Sequence, residues 1–169
     1  MSDSPQRDDD VMPESMTIVA WSGDLDKMWP TLILGSTGAA YGMSTTIFFT
    51  FWGLFPLVRD DVRITGTNAM TKALAGMNRP GMSHMKLSKL HMAGAGPWML
   101  KKLARGQNVA LPMDLVQMCT ELGVNLWPCE MSMELLGLRR DQLIDGVGEP
   151  VGAATALSAM SKSQINLFI

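Results

Sequence analysis

"WPTLILGSTGAAYGMSTTIFFTFWGLFPLV", residues 29–58, runs for 30 residues without a charge, long enough on paper to cross a bilayer. How this run is read decides the fold. Gly35, Gly38, Gly42 and Pro56 interrupt it, and Ser44, Thr45 and Thr46 sit near its middle. "GMSTTIFFT" (42–50) is β-branched and aromatic, which suits a strand better than a helix in lipid. The run therefore reads as a buried helix, a turn and a buried strand, "STTIFFT" (44–50). A true membrane span is not favoured; peripheral membrane association stays open.

Working outward, "MTIVAW" (16–21) is a short β-branched run closed by Ser22, Gly23 and Asp24, which gives a first strand and a turn. Ser22 or Asp24 can N-cap the next helix, whose apolar Leu25, Met28, Trp29, Leu32 and Ile33 recur at i, i+3 and i+4. Pro30 falls in its first turns, where a missing N–H costs least. Gly35, Gly38, Ala39 and Ala40 permit close approach to a sheet, and Gly42 ends the helix. Residues 59–83 are mixed, with "NRPG" (78–81) marking a turn. A helix is expected after Pro97, and another over 113–122, opened by Pro112 and Asp114 and closed by Gly123. "VNLWP" (124–128) reads as a strand, "MSMELLGL" (131–138) as a short helix, and Leu143–Ile144 as a short strand. "VGAATALSAMSKS" (151–163) reads as a small-residue helix and "INLFI" (165–169) as the terminal strand. Apolar strands alternating with helices predict one three-layer α/β domain over 16–169: a mostly parallel sheet with helices on both faces. Residues 1–15, polar and acidic, read as a disordered tail.

Composition excludes several classes. The chain is 47% apolar and 18% charged with a net charge of -2, without the basic balance of a nucleic-acid binder. Sixteen methionines point to an adaptable core or subunit contacts. Two cysteines without a C-x-x-C form neither a disulfide framework nor a zinc ribbon. The tail has no apolar segment of a secretory signal, so a reducing cytoplasm is expected. "SGDLDK" (22–27) lacks the glycines of a dinucleotide fingerprint, and no G-x-S-x-G elbow occurs. His84 and His91 would share a helix face, but Pro80, Gly81, Gly94 and Pro97 crowd their segment and no third ligand is evident. No cofactor or metal is expected.

In such sheets chemistry gathers where strand carboxyl ends meet helix N-termini. Three such places stand out: Ser22-Gly23-Asp24, Phe51-Trp52-Gly53 and Pro128-Cys129-Glu130. At the third, a Cys129 thiolate would face the free N–H groups of the following helix, which favours the anion. Glu130 would oppose this if turned inward. The competing reading is a buried structural thiol, since free cysteine is among the most buried residue types. Cys119, mid-helix on an apolar stripe, reads as core. Lys86, Lys89 and His91 are candidates for a positive rim around the thiolate.

Seven blocks taken together, "VAWSGDLDK" (19–27), "FFTFWGL" (48–54), "MNRPG" (77–81), "KLSKLHMAGAGPWM" (86–99), "CEMSMELLGL" (129–138), "DQLIDGV" (141–147) and the ending "LFI", resemble the DsrE/DsrF-like family. The likeness is to the subgroup found with rhodanese-like and TusA-like proteins. It implies a flavodoxin-like α/β fold, a cytoplasmic sulfur-relay role as a carrier or sulfurtransferase, and a homo-oligomer. It further implies sulfane sulfur held as a persulfide on Cys129, received from one protein partner and passed to another. Backbone N–H groups of Met131 and Ser132 are candidates for holding the anion. Where relay-type members follow this cysteine with a small-residue, arginine-containing segment, this chain has "EMSMELLG" (130–137). The alternative is a non-catalytic interaction or regulatory subunit in which Cys129 is structural.

Overall fold

A computed structural model describes residues 14–62 and 79–169. Four strands, β1 (Ser15–Ala20), β2 (Ser44–Phe49), β3 (Asn125–Pro128) and β4 (Ile165–Phe168), form one sheet in the order β3-β2-β1-β4. Every pairing is parallel, with Ile18 opposite Ile47 and Leu167, and Ile47 opposite Leu126. The uncharged run resolves as expected into most of α1 (Leu25–Ala40), a turn with Gly42 at φ +86°, and β2. Among the described residues no helix is long and apolar enough to cross a membrane. "FWGLFPL" (51–57), unassigned from sequence, forms a 3₁₀ helix directly after β2.

Among the described residues the further α-helices are α2 (Ala95–Gly106), α3 (Pro112–Glu121), α4 (Glu130–Leu136) and α5 (Ala153–Lys162). The strand expected at Leu143–Ile144 is only an isolated antiparallel bridge between Leu143 and Val58. β1 begins at Ser15, a residue earlier than expected, and stops before Trp21. The rest of the tail, and most of the 59–83 region including Asn78 of its turn, lie outside the described residues.

Two layers of unequal weight cover the sheet. On one face Met16, Ile18, Ala20, Ile47, Phe49 and Leu126 join the main core with α1 and α3. Glycine makes this contact close: a Cβ at Gly35 would stand 2.6 Å from Ile47 Cδ1, and one at Gly38 2.4 Å from Met16 Cε. On the other face a small cluster of Val19, Phe48 and Cys129 is closed by Ala156 of α5, with Trp127, Val151 and Met160 packed around it. Towards the amino ends of the strands this face turns polar. Thr17 and Ser163 share a hydrogen bond of 2.7 Å between hydroxyls, and Asn125 donates to Thr46 at 3.3 Å.

Candidate functional site

Parallel strands bring their carboxyl ends to one edge, and all three expected positions lie there. The Cys129 N–H donates to Phe49 O at 2.8 Å and the Thr50 N–H to Ala20 O at 2.9 Å, so the ends of β3, β2 and β1 are stitched side by side. Pro128 now has a role. It ends an edge strand, where a missing N–H forfeits no ladder bond, and its carbonyl accepts the Val151 N–H at 3.0 Å. The Glu130 N–H returns a bond to Val151 O at 3.0 Å. Val151 thus clamps both sides of Cys129.

Cys129 itself is the N-cap of α4 in an extended conformation, and its carbonyl accepts the Met133 N–H at 2.9 Å. Its side chain is 6% exposed, within the small cluster under α5. The helix is seven residues long and starts at Glu130, one residue earlier than expected. Its dipole is accordingly small. The first-turn donors are partly committed: Glu130 N–H is taken by Val151, while among the described residues the N–H groups of Met131 and Ser132 have no backbone acceptor. The Glu130 side chain is exposed. Met131 is also exposed, whereas Ser132 is buried. The Ser132 hydroxyl lies 3.0 Å from the Thr50 hydroxyl and accepts the Phe51 N–H at 3.1 Å, tying α4 to the end of β2.

Cys119 is core, as its place on the helix stripe predicts. It is 0% exposed, its thiol donates to Leu32 O at 3.7 Å, and burial pushes its pKa up to about 11. Both cysteines are free.

The three basic candidates are not brought to the thiol. Lys86 O accepts the Leu25 N–H at 2.7 Å, and Ser88 donates its N–H to Asp26 at 2.8 Å. These bonds dock the segment around Lys86 and Lys89 on the start of α1, whereas Cys129 packs on the α5 side of the sheet. His91 follows in sequence, with a buried Nδ1 that has no hydrogen-bond partner among the described residues. His84 sits apart from His91, its Nδ1 3.6 Å from Asp60 and 3.1 Å from the Ser83 hydroxyl. Among the described residues no group of three or more His, Cys, Asp or Glu is placed to hold a metal ion.

Lys86 instead lines a cavity of about 420 Å³ at the carboxyl edge, formed with Trp21, Asp24, Trp52, Arg79 and His84. Two of the three strand-end segments picked from sequence, after β1 and after β2, contribute to it. Arg79 and His84 were not readable as members, because a long connection separates them from those strands. The capping expected at α1 also differs: Asp24 is the N-cap, but the Ser22 hydroxyl accepts the Asp24 N–H at 3.2 Å, and neither side chain caps the helix.

Fold and site define a class: a doubly covered parallel α/β protein with a free thiol opening a helix at the end of an edge strand. Residues 12–168 match the DsrE/DsrF/DrsH-like family, and the chain belongs to it. It is 37% identical over 153 residues to the YrkE protein of Bacillus subtilis (strain 168), covering 90% of this chain and 95% of that one. It is 30% identical over 167 residues to the sulfur carrier protein DsrE2 of Allochromatium vinosum, covering 92% and 98% respectively. The crystal structure of the YchN protein from E. coli superposes with a TM-score of 0.58 at 12% identity, over 92% of this chain and 99% of that one, a likeness of fold.

Proposed function

We propose that the chain carries sulfane sulfur as a persulfide on Cys129 and passes it to a partner thiol. The observation that carries this reading is the contrast between its two thiols. Cys119 has no surface and a raised pKa, while Cys129 keeps a small exposed area at the carboxyl edge of the sheet. Near full-length likeness to a protein named as a sulfur carrier supports it.

The transfer is isoelectronic. The Cys129 thiolate attacks the outer sulfur of a donor persulfide, an S–S bond forms as the donor's S–S bond breaks, and the donor leaves as its thiolate. An acceptor thiolate then attacks the terminal sulfur and Cys129 leaves in turn. The Met131 and Ser132 N–H groups are the donors nearest in sequence for the terminal sulfur anion. Rhodanese-like donors, TusA-like acceptors, a homo-oligomeric assembly and a reducing cytoplasm complete the proposal.

After incubation with a persulfide donor, intact mass should rise by about 32 Da, one sulfur, in wild type and in Cys119→Ala but not in Cys129→Ser. Equal loading of Cys129→Ser overturns the assignment. Burial of Cys129 against Val19, Phe48 and Ala156 favours the second reading, a structural thiol in an interaction subunit. That reading predicts no loading, native Cys129 inert to alkylation, and a marked stability loss in Cys129→Ser.

A further inference from the structure

Helix α2 is packed inside out. Pro97 and Ala104 are its buried residues, so at about 100° per residue its outward arc holds Trp98, Met99, Lys102 and Leu103. Trp98 is 62% exposed and Leu103 60%. The loop before it adds Leu90 at 77% and Met92, both at positive φ (57° and 45°). These side chains line a shallow groove of about 840 Å³ with Leu87 and Leu100 as its floor. A second groove, reaching Ile33 and Val109, shares Leu100 and Leu103 with the first. The exposed apolar surface is continuous, and a face of this kind marks an interaction site.

Charge selects the occupant. Between Asp61 and Asp114 the sequence has no Asp or Glu and eight of its 14 Lys and Arg residues, in a chain of net charge -2. Around the apolar arc, Lys102 stands 5.1 Å from the Trp98 ring centroid, and Lys89 and Arg105 form no ion pair among the described residues. Lys101 is turned inward, its Nζ donating to Ser83 O at 3.2 Å. A second copy docked symmetrically through this face would bring like charges together. Leu, Met and Trp side chains rimmed by cations that form no ion pair among the described residues instead match an anionic bilayer surface, in which a short amphipathic helix lies flat with its apolar side in the headgroup boundary. We infer that α2 and the Leu90–Met92 loop form a peripheral docking face for membranes containing anionic lipid. The face is independent of Cys129, and it replaces the spanning role that the 29–58 run suggests by length alone.

The test uses the full chain and vesicles of phosphatidylcholine, alone or mixed with phosphatidylglycerol. Co-sedimentation should occur with mixed vesicles only and be reversed by salt. Each surface cation contributes roughly fivefold to partitioning, so Lys102→Gln with Arg105→Gln should weaken binding roughly 25-fold. Trp98→Ser with Leu103→Asn should abolish it. These side chains face solvent, so the urea midpoint and persulfide loading should stay at wild-type values. No sedimentation with mixed vesicles overturns the inference, as does equal binding to phosphatidylcholine alone. A dimer in analytical ultracentrifugation that Leu103→Asn dissociates, with no vesicle binding, assigns the face to a second copy and also overturns it.

Discussion

Replacing Cys119 by alanine should flatten the alkaline limb of the stability curve. The thiol lies between α1 and α3 with no exposed area and only a 3.7 Å bond to Leu32 O, and burial raises its pKa from 9.0 to about 11. Between those values the unfolded chain releases this proton while the folded chain keeps it. The folded state then binds more protons, so stability falls as pH rises. The contribution is intact below about pH 9 and lost as pH climbs through about 11. In full the rise is worth about 2.7 kcal/mol. Urea unfolding of wild type and Cys119→Ala across that range isolates it, because lysine and tyrosine titrations cancel in the difference. Near neutral pH the variant should be less stable by about 1 kcal/mol, the cost of the missing sulfur. At the alkaline end it should equal or exceed wild type. Parallel curves would refute the reasoning, as would alkylation of native Cys119 at the rate of a free thiol.

Gly53→Ala should cost about 3 kcal/mol, because the added Cβ would stand 2.2 Å from Ala20 O, a backbone atom that cannot yield; thermal denaturation reads it. Ser132→Ala leaves the Phe51 N–H without its acceptor and unties α4 from Thr50, and should lower stability by about 1–2 kcal/mol in urea. At Asp26, burial raises the carboxyl pKa, but hydrogen bonds from the Ser88 hydroxyl and N–H outweigh it, and the pKa lies below the ordinary 3.8. Its contribution is present above that value and fades as pH falls below it. Asp26→Asn should therefore speed hydrogen exchange at the Ser88 amide at neutral pH, with the difference shrinking in acid.

What the sequence disclosed follows from the range of each signal. Strands and helices were legible because period and punctuation are local: Gly42 and Gly123 stop helices at positive φ where expected. The 3₁₀ helix at 51–57 was not, because a dense aromatic run carries no period. The place of Cys129 at a strand end could be read from Pro128 and the following helix. Its burial under Ala156 could not, since that contact joins segments nearly thirty residues apart. The placing of the basic residues was not legible for a similar reason: the charge of Lys86 and Lys89 complements the proposed anion but carries no location, and a bond from the Leu25 N–H to Lys86 O docks their segment on the start of α1. The inverted polarity of α2 was hidden because an apolar arc reads as core until the packing shows which way it points.

The thin cover over Val19, Phe48 and Cys129 has a kinetic consequence. Ala156 and Met160 are the α5 side chains that close this shell, while the helix is tethered at its far end, where Asn166 donates to Met160 O and Ser163 O. Val151 is pinned to Pro128 and Glu130 at the near end, so a local opening is confined to the stretch between the two tethers, at lower cost than unfolding the whole domain. In the proposed carrier role, reaction at Cys129 would proceed at the intrinsic rate of the thiol multiplied by the fraction of time that this stretch stands open. For a carrier of the kind proposed, delivery is timed by that opening, and a partner that shifts α5 sets the rate without touching the sulfur.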